Sequence, residues 1–283
     1  MSDPLVSIVV PTLNQAAFIG QTLASIAGQC WPRIEVIVVD GGSTDGTADV
    51  VKRFGSLVTR FISEPDRGQA DAINKGFRIA QGNILAWLNS DDFYLPAILD
   101  RIVPMLGTGA EPRLVYGGTI AYTQAKQDAT IWSAPRFDRE ALKTKALIYQ
   151  PSAFWTRALW EATGELNIAQ HFTLDWDWFR RASAHCDFQR IAEPLSVYRF
   201  HEDHKTGSGN PRRNEEICAF VEQHAGPEWG AAFRDVYAEL ATLGPGLDRL
   251  KRLGLFRWRK LFYRRLYRKH GAKVKVALSQ LRV

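Results

Sequence analysis

The stretch Asn89-Ser90-Asp91-Asp92 sets two adjacent carboxylates at the end of the apolar run Ile84-Leu85-Ala86-Trp87-Leu88. A run that short and that apolar reads as a buried strand, and in an open α/β sheet the carboxyl ends of the strands are where ligands bind. Neighbouring carboxylates repel, so a neutralising partner is expected. A hard divalent cation bound through one or two carboxylates and carrying ligand phosphates is one such partner. The other reading is a helix N-cap: Ser90, Asp91 or Asp92 can cap a helix from about Leu95 to Leu106, with Pro96 in its first turn.

The elements that must position this corner are legible upstream. Val6-Ser7-Ile8-Val9-Val10, Ile34-Glu35-Val36-Ile37-Val38-Val39 and Leu57-Val58-Thr59-Arg60-Phe61-Ile62 are β-branched runs, and helical patterns near residues 16 to 28, 45 to 54 and 69 to 80 separate them. Such alternation predicts right-handed βαβ units, hence an α/β fold with a Rossmann-like, mostly parallel central sheet flanked by helices. The strand ends then share one rim, carrying Pro11-Thr12-Leu13-Asn14, the turn from Asp40 to Asp45, Glu64-Pro65-Asp66-Arg67-Gly68, and the Asn89 to Asp92 corner. The segment after Asp40 is glycine-rich yet has neither GxGxxG nor GK[ST], so it is not a dinucleotide fingerprint or a P-loop. Asp40 itself would be costly to bury without a partner, such as a nucleobase imide or a ribose hydroxyl.

The later chain is less regular. A strand with a glycine kink is expected over residues 114 to 122, another at Thr130-Ile131-Trp132, a helix near Arg157 to Ala162, and a second helix opening at Leu174-Asp175-Trp176-Asp177. A strand from Pro194 to Phe200 then ends in His201. In the helix-opening segment, Asp175 reads from its position as an N-cap, with Asp177 favouring the positive helix end.

With 283 residues and 46% hydrophobic composition, the chain can bury the core of one large domain with an appendage. Its three cysteines, Cys30, Cys186 and Cys218, are widely separated and fit no metal spacing, which points to free thiols in a reducing compartment. No leader pattern opens the sequence, and no apolar run approaches the roughly 20 residues that span a bilayer. A cytoplasmic protein, or one held peripherally on the cytoplasmic face of a membrane, is the expectation. Charge is divided sharply: residues 246 to 283 hold thirteen Lys and Arg against the single acid Asp248, a local +12, which leaves −6 on the rest of the +6 chain.

The motifs closely resemble the inverting glycosyltransferases of family 2, which have the GT-A fold. The stretches that carry the resemblance are Ser7 to Gln15, Glu35 to Thr47, Glu64 to Gly76, Gly82 to Asp92, Gln150-Pro151-Ser152 and Leu174 to Asp177, so it covers about residues 5 to 205. It implies a nucleotide-diphosphate sugar donor, commonly a UDP-sugar, and a hydroxyl acceptor. Pro11, Thr12 and Asn14 would approach the nucleotide, Asp40 would hydrogen-bond the base, and Asp66, Arg67 and Gly68 would line the uridine or diphosphate side. Asp71, Asn74 and Lys75 would add a polar helix face at spacings of three and four. Asn89, Ser90 and Asp91 match the family's DxD element, with Asn89 standing where the first acid usually is. Asp91 and Asp92, joined by His201 of the Arg-x-His element, would hold Mg²⁺ or Mn²⁺, and Asp175 matches the base position, with Asp177 as the alternative.

The resemblance further implies a nucleotide-sugar-binding half over 1 to 110, an acceptor-binding and catalytic half over 111 to 210, and a helical extension over 211 to 283. In that extension Leu247, Leu250, Leu253, Leu255, Phe256, Trp258, Leu261, Phe262, Leu266 and Tyr267 interleave with Arg and Lys at spacings of three and four. This predicts a cationic amphipathic helix that meets an anionic membrane surface rather than nucleic acid, with docking on a protein partner as the alternative. The expected acceptor is a glycan or lipid-linked glycan in cell-surface polysaccharide assembly. Rival readings are a polyprenyl-phosphate sugar synthase on the same fold and a non-catalytic sugar-nucleotide-binding subunit of a membrane complex.

Overall fold

The computed structural model describes residues 3–202, 205, 210–252 and 264–280, with 243–252 described by their helical backbone. The chain divides into two compact units, one of residues 1–139 and 147–204, the other of residues 140–146 and 205–283.

The first unit is built on a nine-stranded sheet. Strands β1 (Val6–Thr12), β2 (Ile34–Asp40), β3 (Val58–Ser63) and β4 (Ile84–Trp87) form a parallel block in the order β3-β2-β1-β4. Helices α1 (Ile19–Ala27), α2 (Thr47–Lys52) and α3 (Gln69–Ile79) link them. The chain order reverses direction at β1, and the crevice at such a switch point is where an open sheet takes its ligand. Pro11 is accommodated in this central strand because odd residues of β1 direct their polar groups toward β4. The Val9 carbonyl accepts the Leu88 N–H there at 2.9 Å, and β4 pairs no further along β1 than Val9. The donor that Pro11 lacks is therefore not needed.

Beyond β4 the sheet becomes mixed, with β8 (Ala153–Thr156), β6 (Leu114–Thr123), β9 (Gln189–Phe200) and β5 (Phe93–Tyr94) following in that order and β7 (Asp128–Trp132) pairing with β6. The expected glycine kink is found in β6, where the register against β9 shifts around Gly118. A Cβ on Gly117 would lie 2.4 Å from the Leu195 side chain, so only glycine lets the two strands close there.

Two cores sandwich the sheet. One face packs Ile8, Val36, Val38, Ala86, Phe154 and Leu195 against α1 and α4 (Leu99–Leu106). The other is aromatic: Phe77 of α3, Trp87, Trp155, Trp160 of α5 (Arg157–Thr163), and Trp178 and Phe179 of α6 (Leu174–Ala182) lie ring against ring. Trp155 and Trp178 have centroids 4.6 Å apart, and Trp87 stacks on Phe179 at 6.3 Å. Such pairs contribute about 0.5–1.5 kcal/mol each beyond their area, and this block fixes α6, the helix that carries Asp175.

The second unit is helical: α7 (Pro211–Ala225), α8 (Pro227–Arg252), α9 (Arg264–His270) and α10 (Lys273–Ser279). Asn210 caps α7 through its side-chain oxygen, which accepts the Arg212 N–H at 3.0 Å. Leu266, Val274 and Ala277 are buried, and Lys269 and Lys273 pair with Asp235 and Glu228 of α8 at 2.7 and 2.6 Å. Part of the tail's charge is thus matched within its own unit. Leu253, Leu255, Phe256, Trp258, Leu261 and Phe262 of the expected amphipathic helix lie outside the described residues. Among the described residues no helix is long and apolar enough to cross a membrane.

Candidate active site

The Asn89 to Asp92 corner is not a helix cap. β5 follows it directly, and α4 begins only at Leu99 with Ile98 at its cap position, beyond Pro96. The turn closes through the Asp92 N–H donating to the Asn89 carbonyl at 3.1 Å, and the Thr22 hydroxyl of α1 lies 2.8 and 2.7 Å from the carbonyls of Ser90 and Asp92. Ser90 is buried, and the corner is held from beneath by its backbone.

The two carboxylates have different fates. Asp91 faces His201, with Oδ2 and Nε2 3.2 Å apart. Asp92 is 1% exposed and turned inward: its Oδ1 accepts the Arg199 N–H at 3.0 Å, and burial, then the Asp91 charge, push its carboxyl well above the usual range. Within the protein its carboxylate is buried and engaged in holding β9. Arg199 ties the corner further: its Nε donates to the Asp91 carbonyl at 2.9 Å, it hydrogen-bonds Gln21, and its guanidinium lies over the rings of Phe18 and Phe93 at 5.1 and 5.4 Å.

Asn89 is also engaged internally. Its Oδ1 accepts from Gln69 Nε2 at 2.8 Å, and its Nδ2 donates toward Gln150 Oε1 at 3.3 Å, while Gln150 Nε2 donates to the Trp87 carbonyl at 2.7 Å. A neutral amide here receives and donates at once and adds no third charge beside Asp91 and Asp92. That is the physical reason an acid can be absent from this position.

At the ends of β1 and β2, the loops 13–16 and 43–47 are laced together. Asn14 sits at φ 52°, in the left-handed region that asparagine tolerates; its N–H donates to Ser43 Oγ at 2.7 Å and its Oδ1 accepts the Thr44 N–H at 2.9 Å. Asp40 is fully buried, and its partners are internal. The Ser43 N–H donates to it at 3.2 Å, the Ser63 hydroxyl at 2.7 Å, and the Ser43 hydroxyl is close as well. Two serines thus supply the partners that burying Asp40 requires. Polar atoms left over at these loops are Gln15 Oε1 and the Thr12 hydroxyl, the latter opposite Asp40 in the register, 5% exposed and, like Gln15 Oε1, without a hydrogen-bond partner among the described residues.

The third strand end brings Asp66 against the second. Its Oδ1 accepts the Gly68 N–H at 2.8 Å, and its Oδ2 would lie 2.6 Å from a Cβ on Gly41. Gly68, at φ 114°, hands the chain to α3 in a conformation that favours glycine, with the His171 ring 3.8 Å from where its Cβ would be.

On α3, Asp71 and Lys75 share a face, with Lys75 Nζ 3.9 Å from Asp71 Oδ2, while Asn74 turns to the Leu166 peptide. Asp71 receives the Arg67 N–H at 3.1 Å and the Arg67 guanidinium at 2.8 Å, which hold its carboxyl below the usual value. Lys75 donates to Glu64 at 2.8 Å and to the Pro65 carbonyl at 3.2 Å. Asn74 is fully buried and bridges the Leu166 peptide, donating to its carbonyl at 2.9 Å and accepting its N–H at 3.0 Å. Both functions of its amide serve a clamp on the loop before α6.

On α6 the cap position belongs to Thr173, and Asp175 lies inside the first turn, half-buried, its Oδ1 accepting the Trp176 N–H at 2.8 Å. Asp177 is matched by Arg180 at 3.3 Å and Arg181 at 2.8 Å, so it is a structural anion. Gln69, Gln150, Thr22, Arg199 and His171 complete the arrangement; Gln69 and Gln150 lie in the stretches that carry the resemblance, and Arg199 in its Arg-x-His element, but were given no role of their own, and Thr22 and His171 escaped the sequence reading.

The family model for glycosyl transferase family 2 matches residues 7–157, just over half of the chain. This protein is a family 2 glycosyltransferase. Among curated relatives of the transferase, a PGL/p-HBAD biosynthesis glycosyltransferase of Mycobacterium bovis is 35% identical over 181 residues, covering 62% of this chain and 69% of the relative. Solved structures with the same GT-A fold include Staphylococcus aureus TarS 1–349 in complex with UDP-GlcNAc, at TM-score 0.58 and 16% identity over 81% of this chain and 70% of that one. Another is a mannosyltransferase from Pyrobaculum calidifontis in complex with GDP-Man and Mn²⁺, at TM-score 0.57 and 19% identity over 99% and 87%.

Proposed function

We propose that the transferase moves a sugar from a nucleotide-diphosphate sugar, a UDP-sugar by preference, to a hydroxyl of a glycan or lipid-linked glycan, with inversion at the anomeric carbon. The observation that carries this reading is the Asp91 and His201 pair at the strand-end rim, 3.2 Å apart. A carboxylate and an imidazole this close would together hold Mg²⁺ or Mn²⁺ beside the donor diphosphate. When bound, that cation would offset the negative charge that develops on the departing diphosphate.

The chain's own residues supply the rest. Asp66 and Gly68 border the donor loop, and the partnerless Thr12 hydroxyl beside it offers a hydrogen bond to the nucleoside. The Arg67 to Asp71 pair stiffens that loop. Asp175 takes the proton of the acceptor hydroxyl as the new C–O bond forms and the bond from the anomeric carbon to the diphosphate breaks. Its carboxylate is oriented by the Trp176 N–H. The acceptor's place in cell-surface glycan assembly rests on the similarity to relatives named PGL/p-HBAD biosynthesis glycosyltransferases.

A thermal-shift panel of UDP- and GDP-sugars, each with and without Mn²⁺, tests the donor assignment. A ligand that binds only the native state raises apparent stability, so a UDP-sugar should raise Tm and do so more strongly with Mn²⁺. No shift with any nucleotide sugar in the presence of metal would overturn the reading.

A further inference from the structure

Strand β9 presents alternating side chains to the two sheet faces. Leu195 belongs to the core beneath α1 and α4, so Ser196, Tyr198 and Phe200 point to the opposite face, the one on which α6 packs through Trp87, Trp155 and Phe179. On that face Phe200 meets Trp132 at the end of β7, with ring centroids 5.8 Å apart at 65°, and Trp132 meets Tyr149 at 5.8 Å and 36°. All three rings are only partly buried. Among the described residues β7 pairs with β6 alone and is otherwise an exposed edge, so Trp132 closes an aromatic wall with no described strand beyond it.

The wall is joined to the transfer corner by two single peptide steps. Tyr149 precedes Gln150, which bonds Asn89, and Phe200 precedes His201, which bonds Asp91. Aromatic faces that remain partly open beside a polar corner are suited to a pyranose, whose ring offers an apolar CH face and a polar hydroxyl edge together. An acceptor hydroxyl bound for Asp175 must approach from the α6 face, where these rings are.

We propose that Trp132, with Tyr149 and Phe200, forms the acceptor subsite and stacks on the CH face of the pyranose ring that receives the sugar. The proposal rests on the reading of Asp175 as the base, and its test is independent of turnover. Saturation-transfer difference NMR on the full chain with UDP and Mn²⁺ would use methyl glycosides of glucose, galactose, mannose and rhamnose as probes. At least one should receive saturation on the protons of one ring face. In Trp132→Ala its apparent Kd should rise about tenfold, and in Trp132→Phe, which keeps a ring and the strand, by about threefold. No saturation of any pyranoside by the wild type, or equal Kd values for wild type and both variants, would overturn the subsite. Trp132-dependent binding together with transfer that survives Asp175→Asn would sustain the subsite and reject the base.

Discussion

At the scale of single residues, the site depends on how each polar side chain is placed and engaged within the protein. Asp40, Asn74, Asp92 and Asp177 all satisfy their charge or amide within the protein, whereas Thr12, Asp66, Asp91, His201 and Asp175 remain at the rim. Gly41 illustrates how fine the margin is. A methyl there would displace Asp66, a side chain free to swing, and not a backbone atom. Gly41→Ala should therefore fold with Tm near that of the wild type and raise the donor KM about tenfold; an unchanged KM would remove Asp66 from the donor site. Asp71 gives a pH signature. The Arg67 hydrogen bond, outweighing burial, lowers its pKa from the ordinary 3.8. A depressed carboxylate pKa contributes stability that is present above the unfolded value and lost as pH falls through the folded one. The stability gap between wild type and Asp71→Asn, about 1 kcal/mol near neutral pH, should shrink below pH 4 in chemical denaturation. A gap independent of pH would show that the charge plays no part.

At the scale of elements, the parallel block was legible because buried β-branched runs and the helices between them have different periods, and the four strand ends found their rim. The short β5 was not legible. Phe93-Tyr94 is too brief to show a period, and it displaces the expected helix start from Leu95 to Leu99. A sequence shows the type of a residue but not its partner. Asn74 on α3 looks like a polar face and is a clamp 92 positions away on Leu166. The clamp predicts a coupling between elements. Asn74→Ala leaves the Leu166 N–H and carbonyl buried and unpaired, which costs about 1–3 kcal/mol, and it loosens the loop before α6. Transfer should then slow more than donor binding weakens. Lost stability with unchanged kcat would mean that the loop does not position Asp175.

At the scale of the whole molecule, charge is the feature that a catalytic unit does not account for. The last 38 residues carry +12, yet Lys269 and Lys273 are paired inside the helical unit, and Leu266, Val274 and Ala277 are part of its packing. Truncation would strip that packing together with the charge, so salt dependence is the cleaner probe of the proposed membrane contact. The full chain should sediment with vesicles containing anionic lipid at 0.1 M salt and release at 0.5 M, since surface attraction is screened over roughly 10 Å and 4–5 Å respectively. Equal binding to zwitterionic vesicles would contradict an electrostatic attachment.

The central claim is a division of labour, with Asp91 and His201 on the donor diphosphate and Asp175 on the acceptor proton. The most direct measurement compares wild type with Asp175→Asn, taking donor Kd by calorimetry and transfer rate at saturating donor in the same Mn²⁺ buffer. The account predicts a Kd within about twofold and a rate lower by on the order of 10²–10⁴. A variant that transfers as fast as the wild type would contradict it.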